Sequence, residues 1–478
     1  MSKPHVVIVG GGIAGLAAAY FLRDEPAEVT VLEGSPRLGG KLTASEVAGV
    51  PVDAGAEALL RRRPEGTDLI ADVGLADQLV LPGTTASGIW SYGGLHPLPP
   101  RQFMGVPADL DGLGRSGVLS AAGLARARRD LDLPATPRAG DVAVAAYVGA
   151  RFGAELVDRL VDPLLGGVYA GRSEELSFEA TLGPLAAAAG SHRALSEAAA
   201  SLIPAPPPAD HGQPAPRPAV FTTLTSGLGA LPAAVAAASG ATVRTRATVR
   251  ELARTASGWQ LTVGSAAEPE RIEADAVVLA LPARPAARLL SAVPGAAAAA
   301  AALAGIEYAS MAIVTLAYPR SRFPAGQGPA GQARSGYLVP AVEGRAVKAV
   351  TYSTVKWPHL AHGDDPVDII RASIGRIGEE SVLQRDDADL VALASAELAE
   401  ETGARGTPVD TRVTRWGGGL PQYTVGHRER VATIREHVGA QPGLAVCGAA
   451  YDGIGIPACI GTARAAADGI RGYLKELA

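Results

Sequence analysis

The stretch VVIVGGGIAGLAAAYFL, Val6–Leu22, decides the fold of this chain. It reads as a short apolar strand, a glycine turn and an apolar helix, and EVTVLE at Glu28–Glu33 supplies a second strand. In the turn, Gly10, Gly12 and Gly15 have the GxGxxG spacing. The first glycine allows a tight turn, the second lets backbone approach a pyrophosphate, and the third lets the helix pack closely on the sheet. The pattern predicts a Rossmann-type βαβ unit.

Glu33 ends the second predicted strand, where a carboxylate can accept hydrogen bonds from the ribose hydroxyls of an adenine dinucleotide. An acidic side chain here disfavours a ribose 2′-phosphate, so NADP is not expected. The first turn of the helix offers free N–H groups and partial positive charge to the phosphates. At this point NAD and FAD both remain open. The residues predicted to bind the dinucleotide are Gly10, Gly11, Gly12, Ile13, Ala14, Gly15, Glu33 and Gly34.

Composition excludes several function classes. A chain of 478 residues predicts two or three domains, and a net charge of −5 argues against a nucleic-acid binder. The two cysteines, Cys447 and Cys459, are too few for a metal cluster and too far apart for a CxxC pair. His359 and His362 form an HxxH pattern, for which a surface turn is favoured over a metal site. No metal site is predicted.

The chain start, MSKPHVVIVGGG, has no charged leader followed by an apolar stretch and a cleavage site. No run approaches the roughly 20 uninterrupted apolar residues that a membrane helix needs. We therefore expect a cytoplasmic protein. The sequence leaves open whether the mostly helical insertion predicted at residues 84–202 contacts the cytoplasmic face of the membrane peripherally.

The pattern along the chain predicts an α/β protein built from interleaved segments. Alternating runs after residue 306 predict a second sheet, with helices expected at Pro366–Ile377 and Asp387–Glu401. The predicted segments are a dinucleotide-binding domain in three parts (residues 1–83, 220–295 and 431–478), a mostly helical insertion (84–202), a proline-rich loop (203–219) and a substrate-binding domain (296–430).

The residues after Glu33 carry a resemblance that separates FAD from NAD. A second glycine pair, in GSPRLGGKL, is followed by Lys41 and then by VDAGAEALLRRR, and this arrangement resembles the amine-oxidase-like flavoprotein superfamily. The resemblance implies FAD, a Rossmann-type FAD-binding domain with an inserted helical domain, and a mixed-sheet α+β substrate domain. It also implies a backbone contact of Val249 with the adenine. The cofactor residues it implies here are Gly40, Lys41, Gly55, Ala56, Glu57, Ala58 and Val249.

The C-terminal stretch GAAYDGIGIPACIG, Gly448–Gly461, matches the last glycine-rich turn of this superfamily, which lies under the flavin. Close approach of backbone requires glycine, and N–H donors facing the flavin stabilise the anion that forms on reduction. The resemblance implies flavin contacts for Trp416, Gly448, Gly455, Ile456, Pro457, Ala458 and Ile460.

Several blocks narrow the resemblance to the oxygen-dependent protoporphyrinogen and coproporphyrinogen oxidases. GIGIPACI at Gly453–Ile460 is similar to the family's GVGIPDCI, and Pro163–Leu185 looks like its GGVYAGDPEKLS block with Arg172 in place of Asp. Two further blocks of the family also have counterparts here. One is FTTLTSGLGALP, with Ser226 in place of a glycine, and the other is Arg415–Val431. The resemblance covers residues 6–468.

The resemblance implies a reaction in which a porphyrinogen gives up six electrons in three rounds while oxygen reoxidises the flavin. No catalytic side chain is expected, because the cofactor carries the chemistry. The protein must hold the macrocycle and anchor its propionates. Two neighbouring arginines, Arg62 and Arg63, are candidates for this anchoring; their alternative interpretation is a solvated basic turn. The residues predicted to bind substrate are Arg62, Arg63, Gly167, Tyr169, Gly171 and Tyr423.

Ser91 stands where mitochondrial and plant members of the family carry an arginine, which favours coproporphyrinogen III over protoporphyrinogen IX as substrate. Protoporphyrinogen IX is the alternative, and another flavoenzyme or a redox-silent binding protein of this fold is less favoured. His427 is expected to orient the PQYTVGH turn, with no role in proton transfer. Product transfer to a ferrochelatase and the oligomeric state stay open.

Overall fold

The computed structural model describes residues 3–204, 219–361 and 367–477. The greater part of the predicted proline-rich loop, residues 205–218, lies outside the described residues. The same holds for His362, Asp364 and Asp365 of the HxxH turn.

The described chain mixes helices and strands throughout. The strands β1–β22 are His5–Val9, Glu28–Leu32, Ala44–Val47, Val50–Asp53, Leu59–Leu60, Leu79–Val80, Gly88–Ser91, Gly94–Pro97, Gln102–Phe103, Val106–Pro107, Phe221–Leu224, Thr242–Arg244, Val249–Arg254, Trp259–Gly264, Pro269–Ala274, Ala276–Leu279, Tyr308–Pro319, Gly336–Leu338, Val347–Tyr352, Val367–Ile374, Asp410–Pro421 and Leu444–Val446. The helices α1–α18 are Ile13–Leu22, Pro64–Asp72, Leu110–Ser116, Ala121–Arg128, Val144–Phe152, Ala154–Leu156, Asp162–Tyr169, Phe178–Thr181, Gly183–Ala189, Leu195–Ser201, Leu231–Ser239, Ala283–Leu290, Ala297–Ala304, Pro329–Gln332, Ser353–Lys356, Asp387–Thr402, His427–Gly439 and Ile456–Leu477.

A five-stranded parallel sheet in the order β12-β2-β1-β16-β22 forms the centre of the dinucleotide-binding domain. Its strands come from the beginning, the middle and the end of the chain, and α1 packs on the sheet and against α11 and α18. β1 is an apolar run because it is buried on both faces, as parallel strands covered by helices are. The predicted βαβ unit, β1-α1-β2, is confirmed.

A seven-stranded sheet in the order β21-β17-β20-β19-β18-β7-β8 forms the second large unit, and α16 packs on one of its faces. The helix expected at Pro366–Ile377 is wrong, because Val367–Ile374 is the strand β20. β20 lies between β17 and β19 and is buried on both faces, and it includes the buried polar residues Asp368 and Arg371, so its apolar residues do not keep the alternation that marks a half-exposed strand. The helix expected at Asp387–Glu401 is confirmed as α16.

The segment expected to be mostly helical, residues 84–202, contains helices only from Leu110 onward. Residues 88–97 are instead the hairpin β7-β8 at one end of the seven-stranded sheet. Helices α3–α10 enclose a separate apolar core, and α7 packs against β18 and β19 of that sheet. None of the helices that the structure describes combines the length and apolarity needed to cross a bilayer.

A buried ion pair between Asp130 and Arg151 connects elements of the helical segment. Asp130 is fully buried; one carboxylate oxygen accepts from Arg151 Nε at 2.6 Å and from the Leu195 amide at 3.1 Å. The other accepts from the amide and hydroxyl of Ser196 at 2.9 and 2.6 Å. Arg151 donates further to the carbonyls of Asp130 and Arg193, so both charges are hydrogen-bonded on all sides.

Candidate flavin site

The site begins at the turn between β1 and α1. Gly10 has φ of +111°, and a Cβ there would lie 2.5 Å from the carbonyl oxygen of Ala280. A Cβ at Gly15 would lie 1.9 Å from the carbonyl oxygen of Gly10. At Gly12, in contrast, an added Cβ would meet no atom of the described part of the chain within 4 Å. The turn is therefore closed on its protein side and open in front of the helix N-terminus, where a phosphate group would fit.

Glu33 follows β2 and is held by two backbone amides. Its Oε2 accepts from the Gly11 amide and its Oε1 from the Ser35 amide, each at 2.7 Å. These bonds orient the carboxylate and leave further lone pairs for the ribose hydroxyls. Gly34 lies against Thr248, since a Cβ there would be 3.1 Å from Thr248 Oγ1, and this contact brings the start of β13, with Val249, beside the end of β2.

The second glycine pair contacts the first. The Gly39 amide donates to the Gly11 carbonyl at 2.8 Å, and a Cβ at Gly40 would lie 3.4 Å from Gly12 Cα. Lys41 follows, and burial lowers the pKa of its ammonium group. That group has no acceptor among the described residues. A partly desolvated cation beside an open helix N-terminus fits an anionic dinucleotide, so the residues present match FAD.

The segment with Gly55–Ala58 is held from the seven-stranded sheet. Trp416 Nε1 donates to the Ala54 carbonyl at 3.2 Å, and Arg371 donates to the Gly55 carbonyl at 2.6 Å. The Glu57 carboxylate accepts from Lys356 Nζ at 2.8 Å and from Arg371. Burial by itself would raise the pKa of Glu57, but the two cations hold it well below its usual range. The Glu57 side chain, which was predicted to contact the cofactor, is therefore engaged in ion pairs with Lys356 and Arg371. The sequence pattern does not reveal these pairs.

The C-terminal turn precedes α18 and is held by the segment between β21 and α17. The Tyr423 hydroxyl donates to the Ala449 carbonyl at 2.7 Å and accepts from the Gly453 amide at 2.8 Å. His427 stacks on the Tyr423 ring at 3.7 Å, and its Nε2 bonds to the Tyr451 carbonyl at 3.1 Å. These contacts fix the C-terminal turn from one side; His427, expected to orient the PQYTVGH turn, stacks on Tyr423 of that turn and also bonds to the C-terminal turn. They also use both hydrogen-bonding functions of the hydroxyl of Tyr423, a residue predicted to bind substrate.

Gly455 is exposed within that turn, and an added Cβ would find only Pro457 Cδ, at 3.9 Å. Gly448 has φ of +124°, and its amide donates to Thr462 Oγ1 at 2.9 Å. Ile456, Pro457, Ala458 and Ile460 form the first turns of α18 and are buried. The N-terminal and C-terminal glycine turns meet, since Ala14 is the residue closest to a Cβ at Gly448.

The substrate residues predicted on α7 and on the loop after it lie next to the C-terminal turn. The Tyr169 ring is 5.5 Å from that of Tyr423, and Gln422 Nε2 donates to the Tyr169 carbonyl at 2.7 Å. A Cβ at Gly171 would lie 2.1 Å from Gln422 Oε1, so a larger residue there would require the Gln422 side chain to move. Gly167 is exposed on α7. Gln422 was not predicted from the sequence as a site residue. Its side chain connects the segment of Tyr169 and Gly171 with the segment of Tyr423.

The two arginines lie at the start of α2. Arg63 pairs with Glu65 at 2.5 Å and lies beside Gly461 of α18, whereas the neighbouring Arg62 is exposed and makes no hydrogen bond to a described residue. Ser91 is fully buried, and its hydroxyl bonds to Arg159 at 2.8 Å and to the Val118 carbonyl at 3.3 Å. The Ser91 hydroxyl is thus used inside the protein, and the position where mitochondrial and plant members carry an arginine offers no cation here.

The burial of His427 predicts a specific pH dependence of stability. Burial lowers the pKa of His427 to about 4, against about 6.5 in an unfolded chain. Between these values only the unfolded chain binds the proton, so stability should fall as pH drops below about 6.5, by up to about tenfold in the unfolding constant per pH unit. Denaturant unfolding from pH 7.5 to 5 measures this for the wild type and His427→Gln. The stability difference between them should shrink as pH falls; a constant difference would contradict the assignment.

Comparison with known proteins agrees with this geometry. The family model described as flavin containing amine oxidoreductase matches residues 13–471. A coproporphyrinogen III oxidase of Mycobacterium bovis is 39% identical over 97% of this chain and 96% of its own length. One of Bacillus subtilis is 32% identical, over 99% of each chain. A crystal structure from Exiguobacterium sp. 255-15, provisionally described as a protoporphyrinogen oxidase, is 30% identical with a TM-score of 0.84, covering 98% of this chain and 99% of its own.

The family model spans nearly the whole chain, and the glycine turns at both ends of the chain converge on one open site. The predicted fold class and the predicted FAD cofactor are confirmed. The chain belongs to the flavin-containing amine oxidoreductases, as an FAD-dependent oxidoreductase with a Rossmann-type cofactor domain.

Proposed function

We propose that this enzyme oxidises coproporphyrinogen III to coproporphyrin III in haem biosynthesis. Six electrons leave the substrate, and three molecules of oxygen are reduced to three of hydrogen peroxide. The observation that carries the proposal is the near full-length similarity to two coproporphyrinogen III oxidases, in a chain whose own structure assembles the flavin site. The bound flavin supplies the hydride acceptor, so no nucleophile or metal is required from the protein.

The residues of this chain position the reactants. Tyr423 and His427 hold the backbone of the C-terminal turn, and Arg371 and Trp416 hold the segment at Ala54–Gly55. The Tyr169 hydroxyl is protonated at neutral pH and can donate to a substrate carboxylate, and burial raises its pKa further, to about 12. Such groups orient a flexible macrocycle and exclude water from it.

Side-by-side turnover of coproporphyrinogen III and protoporphyrinogen IX tests the proposal. The purified enzyme should be yellow, should convert coproporphyrinogen III to fluorescent porphyrin, and should release hydrogen peroxide at about three equivalents per porphyrin. A higher kcat/KM for protoporphyrinogen IX would favour the second candidate, which the description of the Exiguobacterium structure supports. A protein that neither binds flavin nor turns over either substrate would refute both candidates.

Of the neighbouring arginines Arg62 and Arg63, we predict a kinetic effect for the substitution of Arg63. Arg63→Ala should raise the KM for coproporphyrinogen III by roughly three- to tenfold, because a charge-assisted bond to a propionate is lost, and should leave flavin content unchanged. Its ion pair with Glu65 is substantially exposed, so little stability should be lost. Steady-state kinetics with Arg128→Ala, an exposed arginine in the helical segment, as control tests this. An unchanged KM would assign Arg63 to a solvated basic turn.

A further inference from the structure

A buried lysine near the candidate substrate region lacks a counter-ion. Lys348 lies on β19 and is only 4% exposed. Its ammonium group has neither a hydrogen-bond acceptor nor an ion-pair partner among the described residues. An unpaired buried charge destabilises a fold, so such a group points to a ligand that pairs with it.

The charge that acts on Lys348 is another cation. Burial first, and then Arg376, lower the pKa of Lys348 to about 7. Arg376 itself donates to the carbonyls of Val339 and Arg345, each at 3.0 Å, and pairs with Glu379 at 3.3 Å. Its positive potential therefore adds to that of Lys348 without supplying an acceptor.

Carboxylates on α16 and α7 are engaged by backbone amides. Glu397 on α16 accepts from the amides of Ala346 and Val347, and Asp162 at the start of α7 accepts from the Ser173 amide. Neither carboxylate pairs with Lys348.

The position of Lys348 in the sheet is next to α7. Its carbonyl accepts from the Val339 amide at 2.9 Å, and the adjacent Leu338 side chain lies 3.4 Å from where a Cβ of Gly167 would be. β19 packs against α7, which carries Gly167 and Tyr169. The unpaired ammonium group is thus on the strand that supports the predicted substrate helix.

Resting on the proposed function, we propose that Lys348 binds a carboxylate of the substrate, with Arg376 adding positive potential. A propionate supplies both the missing acceptor oxygens and the missing negative charge. Both coproporphyrinogen III, with four propionates, and protoporphyrinogen IX, with two, can supply such a carboxylate, so Lys348 is a substrate-binding residue in this proposal.

Lys348→Met tests this assignment, because methionine keeps the volume and removes the charge. We expect KM for coproporphyrinogen III to rise at least tenfold with unchanged flavin content, while the thermal midpoint stays equal or rises because an unpaired buried charge is gone. Lys348→Arg should restore much of the affinity. An unchanged KM in Lys348→Met overturns the inference. A wild type that fails to oxidise coproporphyrinogen III in the same assay overturns the proposed function instead.

A second, independent observation concerns a small cavity behind the flavin-contacting segment. The cavity measures about 40 Å³ and lies where Asp53, Glu57, Trp357 and Arg371 meet. The cavity lies between β4, the strand that precedes Gly55, and β20 of the seven-stranded sheet.

Two buried donors on the cavity wall are unsatisfied. Trp357 Nε1 and Arg371 Nε have no hydrogen-bond partner among the residues that the structure describes, although the two residues are only 2% and 8% exposed. Buried N–H groups are nearly always bonded to protein or to ordered water. The same wall carries two carboxylates: both oxygens of Asp53 accept backbone amides, from Leu228 at 2.9 Å and from Gly229 at 2.8 Å, and Glu57 pairs with its two cations.

We infer that the cavity holds ordered water that accepts from Trp357 Nε1 and Arg371 Nε and donates to the carboxylates. The volume suits one to about three water molecules. The cavity lining includes two carboxylates, Asp53 and Glu57, and the guanidinium group of Arg371, so a neutral ligand suits it better than an anion. The water completes the hydrogen bonds of Arg371, which is a positioning residue for Gly55 and Glu57.

A crystal structure of the flavin-loaded enzyme, grown with bromide in place of chloride, tests this inference. We expect a density peak within hydrogen-bond distance of both nitrogens and no anomalous bromide signal there. An empty cavity, or a bromide peak, overturns it.

Nuclear Overhauser effects from water to the indole protons give a solution test. The Trp357 indole proton should show an effect from long-lived water. Trp259 is the internal control, because its Nε1 donates to the Pro442 carbonyl at 3.1 Å. Trp259→Phe and Trp357→Phe assign the signals. No water effect at Trp357 contradicts the inference.

Discussion

The Gly12→Val variant should fold as the wild type does and should purify without flavin. A Cβ at Gly12 meets no protein atom within 4 Å, and the backbone there has φ of −75°, which valine adopts without strain. The space in front of Gly12 is the space that the dinucleotide phosphates need. We expect at least a hundredfold weaker FAD binding, equivalent to about 2.8 kcal/mol, measured by flavin absorbance and by titration of the apoprotein.

Two matched variants make the Gly12 result specific. Gly472→Val, at an exposed and equally open position on α18, should keep its full flavin content, and Gly12→Ala should bind FAD with intermediate affinity. Gly455→Val tests the C-terminal turn by the same logic, because its Cβ also points into open space. Normal flavin occupancy in Gly12→Val or Gly455→Val would show that the corresponding turn does not face the cofactor.

Asp130→Ala should destabilise the helical segment by about 3–5 kcal/mol, because Arg151 then stays buried without its counter-charge. Asp130 is fully buried and accepts four hydrogen bonds, so the change also leaves the Leu195 and Ser196 donors unpaired. Denaturant unfolding followed by circular dichroism at pH 7 measures the loss of stability.

An exposed ion pair of the same segment provides the control for Asp130→Ala. Asp111 pairs with Arg128 at 2.8 Å, but its side chain is 76% exposed, so Asp111→Ala should change stability by no more than about 1 kcal/mol. A loss below about 1 kcal/mol for Asp130→Ala would mean that the pair contributes no more than a surface pair. The Asp130–Arg151 pair was not predicted from the sequence, because its partners lie 21 residues apart on different elements.

Local sequence signals predicted the elements whose residue types are required by backbone geometry. Gly10 and Gly15 are required by contacts of a few ångströms within the β1-α1 turn, and Glu33 by two adjacent amides. Such requirements are short-range, so they leave a recognisable spacing. The prediction failed at Val367–Ile374, where a strand buried on both faces loses the alternation that identifies strands.

The roles of side chains that join distant segments were beyond sequence reasoning. Glu57 was predicted at the cofactor, and the structure shows its carboxylate held by Lys356 and Arg371, some 300 residues away. Tyr423 was predicted at the substrate, and its hydroxyl supports the backbone of the C-terminal turn. The substrate contacts proposed for Arg62, Arg63, Gly167, Tyr169 and Gly171 stay predictions.

The sequence by itself determined the βαβ unit, the dinucleotide chemistry and the C-terminal turn, because glycine spacing and an acidic strand end are properties of neighbouring residues. Only the tertiary structure decided which charges are paired. Lys348 and Lys41 are both lysines in unremarkable local sequence, and their missing counter-ions become visible only when every element packed around them is known. Pairing depends on distance and burial, and both quantities arise when segments far apart in the chain come together.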